Sequence, residues 1–234
     1  MRIHRFYSKT EIRSKTFDIT DRDLVHQWKS VFRYNVGSQI ILFDGSGIDY
    51  LCIITSLRNL GATVGVIQEI KTEKIKKINL WLCVGLIKKD NFELVVQKVT
   101  ELGVNHIIPV LCGRSEKKKI NIERLNKIAV EASEQSGRGD IPFIHEVMEF
   151  SKLLDADLLP NSAIFLNMSG GPISEVIKNE AQNDLAVFVG PEGGWSEEEI
   201  KNFAKHNISA VSLGNQILRA ETASVAVASL LLLK

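Results

Sequence analysis

Short apolar runs alternate with segments of helical spacing from residue 80 to the end of this chain of 234 residues, and this rhythm restricts its fold most strongly. A run that is apolar at every position is typical of a strand covered on both faces, so the alternation predicts a largely parallel sheet between helices. The predicted strands are residues 80–86, 107–111, 163–166, 185–189 and 210–213. On spacing alone, these strands would form a doubly wound α/β sheet.

Four helices are predicted between or after these strands. They cover residues 92–102, 122 to near 137, 196–206 and 222–233. Gly103 ends the first helix, because glycine suits the left-handed position that follows a helix C-terminus. Ser196 and Glu199 have the spacing of a capping box, so the start of the third helix is well marked.

The residues before the charged stretch 71–77 follow a different pattern. Alternating apolar runs bounded by turn residues predict a small, mostly β module with a hairpin at residues 44–47 and one helix over residues 21–32. The runs are residues 39–43, 50–55 and 63–70. We therefore expect two domains, residues 1–72 and residues 73–234.

Composition excludes several classes of protein. A net charge of +1 and 44% apolar residues are typical of a globular chain, not of a disordered one. The longest apolar stretch, residues 223–233, is shorter than the ~20 residues of a membrane span, and residues 1–10 lack the apolar core of a secretory signal. We expect a cytoplasmic protein without membrane contact.

Cysteine and histidine usage argues against disulfides and metal. Cys52, Cys83 and Cys112 lie far apart within apolar runs, which is typical of reduced thiols in a core. The five histidines show no ligand spacing with one another or with these cysteines, so no metal site is expected.

A glycine-rich turn, residues 190–195, follows the predicted strand 185–189 directly. Its glycines allow close approach of the backbone to a ligand, and the loop after a parallel strand is where open α/β sheets bind ligands. A tight strand-to-helix turn would use the same glycines. Glu192 and the acidic residues 197–199 would repel a phosphate at the helix start, so a cationic or neutral ligand is favoured.

A second loop, residues 213–223, also follows a strand and leads into a helix. Ile217 and Leu218 are apolar, which is unusual in a loop. They would either wall an apolar pocket or plug the core, and the spacing does not decide between the two. Arg138 follows the second helix and could reach for an anion, although a solvated arginine near a helix C-terminus explains it equally simply.

Several common enzyme classes lack their motifs. No Walker lysine follows the glycines, no serine sits in a nucleophile elbow, and no G-x-G-x-x-G follows strand 80–86. NTP hydrolysis, α/β-hydrolase chemistry and dinucleotide-dependent oxidation are therefore disfavoured. Basic residues cluster away from the acidic helix start, and they form either solvated surface or a face suited to polyphosphate backbones. A non-catalytic RNA-binding module stays open as an alternative.

Taken together, these motifs resemble the RsmE family, the 16S ribosomal RNA uridine N3 methyltransferases of the SPOUT class. The likeness covers nearly the whole chain, and its motifs occur in the family order at residues 1–7, 89–109, 114–115, 134–138, 190–194 and 213–223. The resemblance implies a β-rich, PUA-like RNA-binding domain and then a SPOUT α/β domain with a C-terminal trefoil knot, active as a homodimer. The family usually places an arginine where this chain has Gln216.

The resemblance also implies the cofactor S-adenosylmethionine, held in a bent form by three loops. The residues carried over to cofactor binding are Leu166, Gly190, Pro191, Glu192, Gly193, Gly194, Leu213, Gly214, Ile217 and Leu218. A positive sulfonium without phosphate agrees with the acidic helix start. The implied reaction methylates N3 of a specific uridine of 16S ribosomal RNA, the m3U1498 position; another ribosomal or transfer RNA site is the alternative.

The chemistry suggests roles for three side chains. Uracil must lose its weakly acidic N3 proton, so a cation beside O2 or O4 and a proton acceptor would both help. Arg138 and Arg219 are the candidates for the cation, and Glu221 for the acceptor or for orienting an arginine. A carboxylate that only stabilises a helix start explains Glu221 equally well. The candidates for RNA contacts are Arg2, His4, Arg5, Lys88, Lys89 and Arg114.

Overall fold

The computed structural model of the protein describes residues 3–71, 78–116, 119–178 and 184–233. Its internal contacts divide the chain into two compact units. These are Met1–Ile75 with Ser133–Ile141, and Lys76–Ala132 with Pro142–Lys234. The segment Ser133–Ile141 therefore groups with the amino-terminal unit, which the sequence pattern did not indicate.

The first unit contains a five-stranded sheet in the order β1-β3-β4-β5-β2. The strands are β1 Arg5–Tyr7, β2 Thr16–Ile19, β3 Gln39–Phe43, β4 Ile48–Leu57 and β5 Ala62–Lys71. The predicted hairpin at residues 44–47 is confirmed, because β3 and β4 pair antiparallel with Phe43 opposite Asp49. Strand β1 pairs parallel with β3. The three- and four-residue strands β1 and β2 were not predicted.

The helix predicted over residues 21–32 is present as two successive segments. Helix α1, Arg22–His26, begins at Asp21, whose carboxylate accepts hydrogen bonds from the backbone N–H groups of the next turn. A π-helical turn, Gln27–Val31, continues it. Trp28 in this turn is fully buried in the hydrophobic core of the sheet, so the helical segment covers that core.

The second unit contains a seven-stranded sheet in the order β12-β10-β11-β6-β7-β8, with β9 also paired to β7. Every strand pair that the structure describes in this sheet is parallel, as predicted. The strands are β6 Asn79–Gly85, β7 His106–Leu111, β8 Phe143–Ile144, β9 Met148–Glu149, β10 Ala163–Pro172, β11 Asp184–Val189 and β12 Ser209–Ser212. The two-residue strands β8 and β9 were not predicted.

The four predicted helices are present, together with two short ones. The helices are α2 Lys89–Leu102, α3 Ile122–Ser136, α4 Phe150–Leu154, α5 Ile173–Lys178, α6 Glu197–Lys205 and α7 Ala220–Leu232. Gly103 follows α2 at φ +101°, the predicted left-handed end, and Ser196 with Glu199 forms the predicted capping box of α6. In the residues that the structure describes, no helix is long and apolar enough to cross a membrane.

An aromatic cluster forms the core beneath the carboxyl ends of the central strands. Phe165 stacks on Phe203 with ring centroids 4.2 Å apart, and Trp195 packs edge-on against Phe203 at 5.0 Å. Cys112 belongs to the same core, and burial raises the pKa of its thiol to about 12. The rigid aromatic floor fixes the start of the loop that follows β11.

Candidate functional site

A cleft of about 640 Å³ opens at the carboxyl ends of β10, β11 and β12 in the second unit. Three loops wall it, one after each of these strands, and the start of α2 completes it with Lys88 and Asn91. Parallel strands end at the same edge of a sheet, so their loops meet. The predicted cofactor residues that line the cleft are Leu166, Gly190, Pro191, Glu192, Gly194, Leu213, Ile217 and Leu218. Gly193 and Gly214 lie in the same loops.

The first wall arises from an interruption in the pairing of β10 with β12. Leu166 and Gly171 both register with Val211, so residues 167–170 leave the ladder between them. A Cβ at Gly170 would overlap the backbone of Ala210 and Val211, so the close return requires glycine there. Asn167 and Met168 in this detour line the cleft.

The second wall is the glycine-rich turn after β11. The N–H of Gly194 donates to the carbonyl of Pro191 at 2.8 Å, and Gly194 adopts a φ of +67°. Trp195 is buried beneath the turn, where its ring lies 3.2 Å from an ideal Cβ position at Gly190. The indole Nε1–H of Trp195 donates to the Leu166 carbonyl at 3.0 Å, so the first two walls are directly joined.

The glycine-rich turn is also tied to α2. The side chain of Glu192 accepts a hydrogen bond from the backbone N–H of Lys88 at 3.1 Å. Lys88 lines the cleft, whereas Lys89 is exposed and lies 3.6 Å from Glu93. Glu192 therefore has a structural contact as well as a position on the cleft wall.

Glu199 holds the turn from the opposite side. One carboxylate oxygen accepts from the N–H of Ser196 at 2.7 Å, and the other accepts from the N–H of Gly113 at 2.9 Å. The neighbouring Arg114 donates through Nη1 to the carbonyl of Gly193 at 3.1 Å. The sequence identified Glu199 only as a capping residue; no local signal reveals its contact with Gly113, which lies 86 positions earlier.

The third wall is the loop after β12, and it exposes apolar surface. Ile217 lines the cleft and is 89% exposed, whereas Leu218 is half-buried. Of the two interpretations left open for these residues, the structure supports the apolar wall for Ile217 and not a plug in the core. An exposed isoleucine beside a cleft is ready to be covered by a ligand or a partner.

Arg219 and Glu221 stand at the end of this loop and both line the cleft. Glu221 lies in the first turn of α7, where the helix dipole favours a carboxylate, and the residue is only 9% exposed. Its Oε1 lies 3.9 Å from Nη1 of Arg219, while its buried Oε2 has no hydrogen-bond partner in the described parts of the chain. The Arg219 side chain is 85% exposed. The pair thus offers an acceptor oxygen and a cation.

The structure places Arg138 in the first unit, and it is not among the residues that line the cleft. It lies beyond the end of α3 as predicted, but it is not free to reach an anion, because its Nε donates to Asp140 at 2.7 Å. Its backbone carbonyl accepts from Arg5 at 3.2 Å. The side chain is 8% exposed, so Arg138 contributes to the internal packing of that unit.

The predicted RNA contacts of the first unit are largely committed to internal partners. Arg5 donates to the carboxylate of Asp49 at 2.6 and 2.9 Å and lies over the ring of Phe43. The ring of His4 lies 4.6 Å from that of Phe32. Arg2 is outside the described residues. Within the described ranges, no group of three or more histidine, cysteine, aspartate or glutamate side chains could hold a metal ion.

Two family models match the chain. Residues 74–232 match a model described as an RNA methyltransferase domain, and residues 29–67 match one described as an RNA methyltransferase PUA domain. The first match covers most of the second unit and the second match lies within the first unit, so both compact units have a family counterpart.

Curated relatives agree with the family models. The chain is 30% identical over 230 residues to ribosomal RNA small subunit methyltransferase E from Rickettsia conorii, covering 96% of this chain and 93% of that one. It is 36% identical over 145 residues to the protein of the same name from Bacillus subtilis, covering 59% and 56%.

Among solved structures, the fold is similar to that of ribosomal RNA small subunit methyltransferase E from Neisseria gonorrhoeae bound to S-adenosyl methionine. The TM-score is 0.87 at 28% identity, and the match covers 97% of this chain and 96% of that one. The similarity therefore spans both units.

Proposed function

Because the chain belongs to the ribosomal RNA small subunit methyltransferase E family, we propose that it transfers the methyl group of S-adenosylmethionine to N3 of the uridine named above in 16S ribosomal RNA. The expected fold, an α/β SPOUT methyltransferase domain with a PUA-like domain, is confirmed by the family models and the structural neighbours. The trefoil knot stays a prediction, as does the homodimer.

The cleft fits this cofactor in size and chemistry. A volume of about 640 Å³ lies within the usual range of cofactor sites, which are mostly apolar with a few placed polar groups. Leu213, Ile217 and Leu218 supply an apolar wall, and Glu192 supplies a carboxylate that a sulfonium tolerates and a pyrophosphate would not. When bound, S-adenosylmethionine supplies an electrophilic methyl carbon; the protein must present the uracil nitrogen to it.

One observation carries the proposal: the buried, unpartnered Oε2 of Glu221 stands beside the exposed guanidinium of Arg219 on the wall of the cleft. A buried acceptor without a hydrogen bond is costly, so such an atom is typical of a site that a ligand completes. Arg219 would stabilise the negative charge that develops on O2 or O4 of uracil. Glu221 would accept the N3 proton or orient Arg219.

Transfer of tritium from labelled S-adenosylmethionine into 16S ribosomal RNA tests the proposal, followed by mass spectrometric mapping of the labelled nucleotide. We expect one methyl group on N3 of a single uridine. Methylation of a transfer RNA or of another ribosomal site would overturn the proposed target but not the reaction. Binding of RNA without any transfer would support a non-catalytic module instead.

Substitution of Arg219 tests its role. We expect Arg219→Ala to lower the methylation rate by about 10²–10³-fold, the usual cost of removing one stabilising donor, while the Kd for S-adenosylmethionine stays the same. Lys201→Ala, on the exposed face of α6, is the matched control and should retain full activity. A full rate in Arg219→Ala would exclude this arginine.

The two roles proposed for Glu221 differ in their response to pH. If Glu221 accepts the proton, methylation by Glu221→Gln should recover in part at high pH, where water removes the N3 proton. If Glu221 orients Arg219, high pH should restore nothing. Either way, the free energy of unfolding should change by less than about 1 kcal/mol, because the replaced oxygen has no partner to lose.

A catalytic role for Arg138 and RNA contacts from Lys88, Lys89 and Arg114 stay predictions. Arg138→Ala should abolish methylation while S-adenosylmethionine still binds, if the arginine acts in catalysis. Unchanged turnover would leave it with the structural role that its contact with Asp140 supports. We leave Arg5 out of the proposed RNA contacts, because Asp49 already occupies its guanidinium.

A further inference from the structure

A second cavity, of about 360 Å³, opens on the first unit. It lies between the end of the π-helical turn after α1 and the end of β4. Its lining residues are Lys29, Arg33, Tyr34, Asn35, Val36 and Leu57, none of which is acidic. The cavity is thus surrounded by hydrogen-bond donors and positive charge.

The positive charges at this cavity are not neutralised. Lys29 donates through Nζ to the neutral amide oxygen of Asn59 at 2.7 Å. Among the described residues, Arg33 has no ion-pair partner, and neither has Arg58, which follows Leu57 in the turn between β4 and β5. A cluster of unpaired cations raises the local concentration of anions.

Other cations of the same unit behave differently. The structure pairs Arg5 with Asp49, Lys9 with Asp21 and Arg13 with Glu11. The residues predicted from the amino-terminal motif to contact RNA are therefore occupied, in the case of Arg5, while the cations at the cavity remain available.

The backbone of Arg33 supports a functional role. Arg33 has a φ of +54°, one of two non-glycine residues with positive φ in the described ranges. L-residues other than glycine and asparagine rarely adopt this conformation, because Cβ crowds the following carbonyl. A long cationic side chain held in a strained conformation at the rim of a cavity is a reason to look for a ligand there.

We propose that this cavity binds phosphate groups of the substrate RNA backbone, an inference that rests on the proposed function. Lys29 and Arg33 would contact the phosphate oxygens. The phenol of Tyr34 and the amide of Asn35 would add neutral donors, and burial raises the pKa of Tyr34, which keeps its hydroxyl protonated. Such contacts position an RNA without reading its sequence. The PUA-like unit would thereby hold the RNA through this cavity and not through its amino-terminal strand.

A double variant, Lys29→Gln with Arg33→Gly, tests the proposal. Glycine removes the charge and accepts the left-handed conformation, so this variant should fold at least as well at that position. Binding of 16S ribosomal RNA is measured over a range of salt concentrations. Each lost phosphate contact lowers the slope of log K against log salt by roughly 0.7 to 0.9, so the affinity difference from the wild type should narrow roughly tenfold between about 50 and 200 mM salt.

The expected loss is confined to RNA. The KM for RNA should rise, while the Kd for S-adenosylmethionine, whose cleft is in the other unit, should not change. Lys152→Gln is the matched control, because this exposed lysine is already paired with Glu149 at 2.8 Å. An unchanged salt slope and an unchanged KM in a double variant with wild-type Tm would overturn the inference. Absence of methyl transfer by the wild-type protein would instead refute the proposed function, so the two failures are distinguishable.

Discussion

The indole Nε1–H of Trp195 donates a hydrogen bond of 3.0 Å to the carbonyl oxygen of Leu166. The bond crosses from the loop after β11 to the end of β10 and lies beneath the cleft. Neither residue could take this role alone, because Trp195 sits in the glycine-rich turn and Leu166 marks the point where β10 leaves its neighbour. The cleft therefore depends on a contact between two loops that are distant in sequence.

Trp195→Phe should weaken both stability and cofactor binding. Phenylalanine keeps the aromatic contact with Phe203 but cannot donate to Leu166, which costs about 1–2 kcal/mol in the free energy of unfolding. With the first two walls no longer joined, the Kd for S-adenosylmethionine should rise severalfold. Urea unfolding and calorimetry measure the two effects. Trp81→Phe, at the amino end of β6, is the control, and an equal change in Kd there would contradict the explanation.

Gly85→Ala should displace the glycine-rich turn. A Cβ at Gly85 would lie 2.6 Å from both the nitrogen and Cδ of Pro191, and Pro191 is backbone-rigid, so the turn must move. We expect a loss of about 1–3 kcal/mol in the free energy of unfolding and weaker binding of S-adenosylmethionine. Gly65→Ala is the control, because its Cβ would meet only side-chain carbons at 3.7 Å. Normal cofactor binding by Gly85→Ala would refute the crowding argument.

Glu199→Ala should loosen the turn that contains Gly113. The change leaves two buried N–H groups, those of Gly113 and Ser196, without an acceptor, and each costs about 1–3 kcal/mol. Glu199→Gln retains one acceptor oxygen and should lose about half as much. Hydrogen exchange at the Gly113 amide reports the loss directly. Glu198→Ala, at the exposed neighbouring position, should change stability by no more than about 0.5 kcal/mol. Unaltered exchange at Gly113 in Glu199→Ala would contradict the assignment.

Stability should fall in acid because of His106. Burial, and then His145 at 3.2 Å, lower the pKa of His106 to about 4, against a smaller opposing effect of Asp184. The unfolded chain therefore binds the proton more readily, and the free energy of unfolding should fall as pH drops from about 6.5 towards 4. Above about pH 6.5 both states are neutral at this site and the effect vanishes.

His106→Phe isolates this effect, because phenylalanine keeps a ring against Trp81, whose centroid lies 3.6 Å from that of His106, and removes the titrating group. Urea unfolding at about pH 7 and about pH 5 should show a smaller acid loss than in the wild type. Some loss should remain, since burial also lowers the pKa of His145. Identical losses in the two proteins would exclude His106 as the cause.

Signals that act over a few residues were predictable from the sequence. Gly103 ends α2, Ser196 caps α6, and the turn at residues 44–47 joins β3 to β4. Elements of two to four residues carry too little periodicity to be recognised, which explains why β1 and β8 were missed. The grouping of Ser133–Ile141 with the first unit depends on tertiary contacts, such as that of Tyr7 with Glu134, that no local pattern encodes.

The candidate site shows the same division. The meeting of three loops follows from the parallel sheet, because each loop leaves a strand at the same edge. By contrast, the sequence gives no sign that Arg5 pairs with Asp49, or that Glu199 reaches Gly113. Long-range partners of charged side chains decide which of them remain available to a ligand, and spacing does not contain that information.

Strand β10 leaves β12 after Leu166 and meets it again at Gly171, with the same residue, Val211, opposite both. An excursion that returns to its starting point can grow or shrink without any slip in the alignment on either side. Resizing the chamber for a bulkier or smaller guest would therefore require changes in this short excursion only. The architecture separates what the enzyme holds from what holds the enzyme together.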